Sequence, residues 1–238
     1  MRSVFRIALL ATVCVWAATA TPIPGLVSTG GATPGSQDPA WQWSFNPTPP
    51  AGVFVPAYVT DDTSYPFPHW VANSAQSKWI SPQPGYGTAY GNYADDVGYH
   101  YFAIGYYIDS SYNPDSATFQ FMMATDNQVA GVWVNSTLLS GINTYGYTSL
   151  QGPYTVGPTP GLFHTGWNSM VVVIYNAALP NPPVPTDPYS WNPVGVRVEI
   201  LSSNIEGGPV GEIPEPGVLY LCGAGLLSIG LLRLRQKA

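Results

Sequence analysis

Residues 115–135 of this 238-residue chain read DSATFQFMMATDNQVAGVWVN, and this stretch decides the fold class. Residues 118–123 are rich in strand-forming side chains that alternate between two faces, and residues 129–134 repeat that character. Between them stands Asp126-Asn127, a pair whose side chains hydrogen-bond to their own backbone and favour a tight turn. We therefore predict strand, turn and strand.

The same pattern extends outward along the chain. Further strands are predicted at residues 41–45, 99–104, 170–175 and 194–200. No segment of useful length has the helical period, and 25 Gly and 25 Pro interrupt the chain too often for long helices. We predict an all-β domain over residues 37–203, an antiparallel two-sheet jelly-roll sandwich in which Trp41, Trp79 and Trp133 belong to the core.

The order of these phrases resembles the galactose-binding-like jelly roll over residues 77–201. In that family an Asp-Asn turn joins two strands, the second strand ends in Val-Asn-Gly, and a Gly-x-Asn turn opens a long apolar strand. Here the second strand ends in Val134-Asn135, and Gly166-Trp167-Asn168 precedes the apolar run 170–176. Ser136 stands where the family usually has Gly, which leaves the type of that turn open.

Residues 214–238 form a three-part segment: the rigid tripeptide Pro214-Glu215-Pro216, an apolar run at 217–232, and a basic tail. Sixteen helical residues span roughly 24 Å, less than the hydrocarbon core of about 30 Å, so this is a marginal anchor. The basic residues of the tail, which favour a cytoplasmic location, are Arg233, Arg235 and Lys237.

This layout resembles the PEP-CTERM sorting signal of Gram-negative bacteria, which the membrane protease-transferase exosortase recognises. Residues 77–82, SKWISP, also resemble a phrase seen in many exported proteins of that class. The resemblance implies a transient inner-membrane anchor followed by transfer to the cell surface or extracellular matrix. A plain membrane anchor is the alternative.

The N-terminal residues carry the features of a secretory signal peptide. Arg2 and Arg6 precede the apolar stretch 7–17, and Ala18 and Ala20 supply the small side chains that signal peptidase requires. We place the cut after Ala20, with export through the Sec machinery. Two further segments are predicted to remain unfolded because of their Pro, Gly, Ser and Thr content: a flexible linker at residues 21–36 and a spacer at 204–213.

The exported part of the chain is strongly acidic. Lys78 and Arg197 stand against twelve acidic residues from Asp38 to Glu212, a net charge of −10. A nucleic-acid partner is excluded, because binding to phosphates depends on clustered cations. Both cysteines, Cys14 and Cys222, lie in the two signals, so a disulfide is not expected in the domain.

Motifs that would indicate a catalytic centre are absent: there is no G-x-S-x-G elbow, no Gly-rich phosphate loop and no His or Cys spacing typical of a transition metal. The acidic pairs Asp61-Asp62 and Asp95-Asp96 offer oxygen ligands for a structural Ca²⁺. The alternative is that both pairs are solvated loop residues. No other cofactor is expected.

Aromatic residues give the main functional indication, with 16 Tyr and 8 Trp in the chain. An aromatic ring with a polar tip suits the apolar face of a sugar. The candidate ligand-binding residues lie in Gly-rich loops: Tyr86, Tyr90, Tyr93, Tyr145 and Tyr147.

Two functions remain open. The first is a non-enzymatic protein of the cell surface or extracellular matrix, whose domain binds extracellular polysaccharide or has a structural role. The second is a secreted hydrolase of such a polymer, which would need two carboxylates about 5 to 10 Å apart. Most carboxylates of this sequence stand in turn contexts, so we favour the first.

Overall fold

The computed structural model describes residues 20–46, 48–142 and 146–207. Its strands are β1 (Gln37–Asn46), β2 (Val55–Val59), β3 (Ile80–Ser81), β4 (Gly98–Ile108), β5 (Tyr112–Asp126), β6 (Gln128–Val134), β7 (Thr137–Leu138), β8 (Gly146–Val156), β9 (Gly166–Asn176) and β10 (Gly195–Gly207), with a 3₁₀ helix at Pro188–Ser190. In these ranges no helix has the length and apolar character needed to cross a membrane. The predicted helix 217–232 and residues 1–19 lie outside the described ranges.

The strands form one hydrogen-bonded sheet in the order β7-β6-β9-β4-β1-β2-β3-β10-β5-β8. Every pairing between these strands is antiparallel, which confirms the predicted all-β antiparallel class. The expected division into two separate sheets is not seen. The short strands β2 and β3 pair with each other and with β1 and β10, and so join the two parts of the sheet.

Inward side chains from both parts of the sheet form one core. Phe102 and Ile104 of β4 pack in the same buried cluster as Phe121 of β5 and Val198 of β10. The β4–β9 part therefore faces the β5–β10 part across the core, an arrangement consistent with a β-sandwich. Each fully buried side chain of this size contributes roughly 1.5–3 kcal/mol to stability.

The Asp126-Asn127 turn does not close a hairpin. β5 pairs with β10 and β8, whereas β6 pairs with β9 and β7, so the chain crosses between the two parts of the sheet at this turn. The next turn does close a hairpin, because Val134 pairs with Thr137 around Asn135-Ser136. Asn135 takes the left-handed backbone conformation, with a φ of 53°, and Ser136 has no positive φ, so a glycine is not required there.

Residues 21–36 pack on the sheet, in contrast to the flexible linker predicted from their composition. Ile23 and Leu26 are buried in the core. The side chain of Asp38 accepts hydrogen bonds from the backbone N–H groups of Gly30 and Gly31, at 2.7 and 3.2 Å. Composition does not reveal these partners, because two apolar side chains are enough to anchor a short segment against a core.

The C-terminal end of the domain also differs from the predicted boundary at residue 203. β10 continues to Gly207, and Ile205 is fully buried. Thr21 and Ile205 exchange two backbone hydrogen bonds, of 3.1 and 2.8 Å, so the first part of the described chain pairs with the last strand. The folded domain thus includes residues from both predicted flanking segments.

Candidate functional site: an aromatic groove on the outer sheet face

An apolar groove of about 410 Å³ lies on the face of β4, β9 and β6 that points away from the core. It is lined by Pro49, Ala51, Phe54, Tyr99, Tyr101, Ala130, Trp133, Asn135, Val171 and Val173. The lining contains no charged side chain. We call this site the aromatic groove.

Strand alternation explains why these residues face outward. In β4, Phe102 and Ile104 point into the core, so Tyr99 and Tyr101 point to the opposite face. Tyr101 pairs with Val173 of β9 across the sheet, and Val171 pairs with Trp133 of β6. The groove therefore has β9 as its floor and aromatic side chains on both sides.

Trp133 forms the β6 wall and depends on a neighbouring glycine. Gly131 lies two residues earlier on the same face, and a Cβ added there would meet the indole ring of Trp133 at 2.3 Å. The missing side chain at Gly131 lets the indole lie close to the strand. Trp133 was predicted to be a core residue; it is half-buried, with its ring lining the outer groove.

The connection between β1 and β2 forms the other wall, through Pro49, Ala51 and Phe54. The side-chain amide of Asn46 donates a hydrogen bond of 2.5 Å to the carbonyl oxygen of Pro50, which holds the loop to the end of β1. The loop lies so close to β1 that a Cβ added at Gly52 would meet the carbonyl oxygen of Phe45 at 2.9 Å.

Tyr101 brings a polar group into this apolar site. The residue is 8% exposed, and among the described residues its buried hydroxyl has no hydrogen-bond partner. Burial raises the pKa of Tyr101, and the nearby Tyr99 makes a smaller contribution in the same direction. The phenol is therefore neutral and able to donate a hydrogen bond. Ser44, which pairs with Tyr101 in the sheet, also has a buried hydroxyl without a partner among these residues. Leaving a buried polar group unsatisfied is costly, which favours a ligand or water that bonds to it.

Cations are missing from the groove because both basic side chains of the described domain are engaged elsewhere. The Lys78 ammonium donates to the carbonyl oxygens of Gly30 and Ala32, at 3.0 and 2.9 Å. The buried Arg197 guanidinium donates to Ser77 and forms an ion pair of 3.3 Å with Glu199. The groove thus offers rings and hydroxyl groups and no compensation for an anionic ligand.

Of the tyrosines predicted to bind ligand, Tyr86 is buried instead of exposed. It is 1% exposed, and its hydroxyl donates to the Asp95 carboxylate at 2.5 Å and lies 3.1 Å from the Val194 carbonyl oxygen. A surface contact with a ligand is therefore not available to Tyr86. Burial, together with the negative charge of Asp95, raises its pKa well above the usual value.

The other predicted tyrosines also make contacts within the protein. The hydroxyl of Tyr90 donates to the Asp61 carboxylate at 2.7 Å, and this hydrogen bond raises the Tyr90 pKa. Tyr93 contacts the edge of Trp191, with ring centroids 5.1 Å apart. Tyr147 packs against the buried Trp70–Trp79 cluster. Tyr145 lies outside the described residues.

Three of the four predicted calcium ligands, Asp61, Asp62 and Asp95, accept hydrogen bonds from protein donors. Asp61 accepts from Thr63, Ser64 and Tyr90, and Asp62 accepts from the side chain of Asn73. Asp96 is exposed. Across the described ranges, no three His, Cys, Asp or Glu side chains come together in a group able to hold a metal ion.

Asp95 and Asp126 are two carboxylates that interact electrostatically, and burial raises the pKa of each to about 6. Asp95 accepts hydrogen bonds from Gln83, Tyr86 and the backbone N–H of Val194, at 2.7, 2.5 and 2.7 Å. Asp126 accepts one of 2.7 Å from the indole N–H of Trp70. These hydrogen bonds connect parts of the chain that are far apart in the sequence.

The predicted processing residues are largely outside the described ranges. Ala20 is described and exposed, directly before the paired residue Thr21. The remaining predicted residues fall outside: Ala18, Pro214, Glu215, Pro216, Arg233, Arg235 and Lys237.

Sequence reasoning missed the groove because it sought ligand contacts in loops. The signal that identifies it is the strand pattern of residues 99–104, in which tyrosines take the positions opposite to Phe102 and Ile104. The contribution of residues 49–54 has no such signal, since it depends on how the loop folds back over β1.

Comparisons of the chain with protein-family models, curated proteins and solved structures give no match.

Proposed function

We propose that this protein is an exported cell-surface or extracellular-matrix protein whose β-domain binds a neutral polysaccharide in the aromatic groove without catalysing a reaction. The binding role rests on an uncharged groove that is lined by Tyr99, Tyr101 and Trp133, and on the buried Tyr101 hydroxyl, which has no partner among the described residues. Export rests on the two terminal signals in the sequence.

The chemistry of the groove suits a sugar. A pyranose ring presents C–H groups on its faces and hydroxyl groups around its rim. The aromatic rings of Trp133 and Tyr99 offer apolar surface for the C–H groups, and the hydroxyl of Tyr101 offers a hydrogen-bond partner for the sugar hydroxyl groups. Both needs are met in one groove.

Charge favours a neutral polymer over an acidic one. The described residues include eleven acidic side chains, and the two basic ones, Lys78 and Arg197, are held by partners within the protein. An anionic polysaccharide would approach a surface of its own sign with no cation available for pairing.

The fold we propose for the domain is a galactose-binding-like jelly roll. The hairpin at Asn135-Ser136 and the start of β9 at Gly166 support it, since both lie at the positions expected from that family's phrases. A polysaccharide hydrolase is the alternative function. We favour binding because Asp95 and Asp126, the electrostatically coupled carboxylates, are already bonded to protein donors.

Affinity electrophoresis through gels containing neutral or acidic polysaccharides tests the binding role. We expect retardation by at least one neutral polymer and none by acidic polymers. Trp133→Ala should weaken binding about tenfold or more, because it removes a wall of the groove. Leu201→Ala is the control, since Leu201 is an exposed apolar residue of β10 that does not line the groove.

Gly131→Ala provides a second variant that keeps every groove side chain. Its new Cβ must displace the indole of Trp133, so we expect weaker binding with the tryptophan still present. Wild-type binding by both Trp133→Ala and Gly131→Ala would contradict the assignment. If no polysaccharide is bound and the wild type self-associates in a Trp133-dependent way, the groove binds a second copy of the chain instead.

Mass spectrometry of the protein from an exosortase-bearing host tests the sorting role. Changing Pro214-Glu215-Pro216 to Ala-Ala-Ala should leave membrane insertion intact but prevent processing, so the C-terminal segment stays attached. Removing the charges of Arg233, Arg235 and Lys237 should instead weaken retention, because each contributes about 1 kcal/mol at an anionic inner leaflet. Recovery of residues 217–238 on the wild-type protein at steady state would show that the sorting assignment is wrong.

A further inference from the structure

A second aromatic pair lies on the same outer face as the groove. Trp167 of β9 is 70% exposed and Tyr107 of β4 is 49% exposed. The two residues pair across the sheet, and their rings meet edge to face with centroids 5.7 Å apart. Adjacent exposed aromatic side chains are typical of surfaces that contact a ligand or partner.

Small residues lie between this pair and the groove. Gly105 and Ser169 pair across β4 and β9 at the intervening position, and Gly105 has no side chain. The three atoms nearest to a Cβ added at Gly105 belong to the Trp167 ring and the Asn168 carbonyl group, and each is 3.9 Å away. Nothing in the pairing register therefore separates the two aromatic regions.

The backbone under Trp167 is held firmly. The side-chain amide of Asn168 donates to the carbonyl oxygens of His164 and Gly166, at 2.7 and 3.0 Å, and its oxygen accepts from Asn135 at 2.9 Å. Asn135 belongs to the β6–β7 turn that also lines the groove. The exposed indole thus stands on a fixed base that is connected to the wall of the groove.

Spacing along β9 indicates what can contact both regions. Trp167 and Val171 are four residues apart on one strand and face the same side, which separates them by roughly 13 Å at about 3.3 Å per residue. One sugar ring is too small to bridge that distance. A chain of several sugars that lies along β9 can contact both.

We propose that Trp167 and Tyr107 form a second subsite in line with the aromatic groove, so that the ligand is an extended neutral polysaccharide chain. This inference rests on the proposed function, because it takes the groove as the first subsite. Trp167 then determines preference for chain length, and Trp133 determines binding at every length.

The test is a titration of the full-length chain, kept in a detergent without a sugar headgroup, with length series of two neutral probes, cello-oligosaccharides and malto-oligosaccharides. Absence of binding to both series at every length counts against the second subsite. Trp167→Ala should weaken binding of the longest oligosaccharides about threefold to tenfold, the effect of losing one aromatic contact. The affinity for the shortest oligosaccharides that bind should not change. Trp167→Phe should retain most of the affinity for long chains.

The outcomes separate this inference from the proposed function. If Trp133→Ala weakens binding and Trp167→Ala has no effect at any length, the second subsite is wrong and the groove stands. An equal loss for short and long ligands in Trp167→Ala also overturns the second subsite, because the effect would then not depend on chain length. Wild-type affinity in Trp133→Ala for every ligand overturns both proposals. Equal melting temperatures of wild type and Trp167→Ala show that the variant is folded.

Discussion

The tyrosines near Asp95 and the tyrosines of the outer sheet face have opposite environments. In the loops, the hydroxyl of Tyr86 bonds to Asp95 and that of Tyr90 bonds to Asp61, while Tyr93 packs against Trp191. On the sheet, the residue Tyr101 lines the groove, and its buried hydroxyl has no partner within the described ranges.

This difference shows that location in a loop is a poor guide to function in this domain. The segment between β3 and β4 has two short bridges and no regular strand, so its stability depends on side-chain contacts. Backbone pairing already stabilises β4, which leaves its outward side chains free for a ligand.

The largest expected contrast is between a buried loop tryptophan and an exposed strand tryptophan. Trp79 is fully buried, its ring centroid lies 4.2 Å from that of the tilted Trp70 ring, and its indole N–H donates to the Val71 carbonyl oxygen at 2.8 Å. Trp79→Ala should lower the free energy of unfolding by about 3–5 kcal/mol. Trp167→Ala should change it by about 0.5 kcal/mol or less. Urea denaturation measures both, and similar losses in the two variants would remove the distinction.

A smaller effect is expected from pH, through Asp95 and Asp126. Burial raises the pKa of each from the usual value near 4 to about 6, so between these values the folded state binds more protons than the unfolded state. The contribution of each carboxyl to stability, on the order of 1–3 kcal/mol, is present below pH 4 and is lost as the pH rises through 6.

Urea midpoints measured at pH 5 and at pH 7.5 check this expectation, with the protein more stable at pH 5. Asp126→Asn removes one of the two titrating carboxyls and should reduce the difference in stability between the two pH values. The amide oxygen can still accept from the indole of Trp70, so the variant is a fair control for packing. A variant profile identical to that of the wild type would show that Asp126 does not contribute.

The smallest and sharpest comparison removes one oxygen atom from each region. Tyr86→Phe removes one of the three hydrogen-bond donors to the buried Asp95 carboxylate and should cost about 1–3 kcal/mol of stability. Tyr101→Phe removes a hydroxyl that has no partner in the described structure, so stability should stay constant or rise. Thermal melts of both variants measure the stability change. Binding of the neutral polymer should show the reverse order, with the larger loss of affinity in Tyr101→Phe. A large stability loss in Tyr101→Phe would mean that its hydroxyl is bonded.

The sequence by itself determined where the strands lie and which faces are apolar. Alternation predicted β4, β5, β6 and β9, because a period of two depends only on local side-chain order. The phrase that ends in Val134-Asn135 also indicated the turn that closes the β6–β7 hairpin, whereas β9 begins at Gly166, before the predicted strand 170–175. These features need no knowledge of distant residues.

Only the tertiary structure decided how the strands pair and what their outer faces meet. The Asp126-Asn127 turn connects strands that do not pair with each other, and residues 21–36 gain their order from Asp38, Lys78 and the core. The groove likewise requires β4, β9 and β6 to lie side by side with the loop at residues 49–54 packed over them. Contacts between residues far apart in sequence depend on the closure of the whole sheet, so local sequence patterns do not predict them.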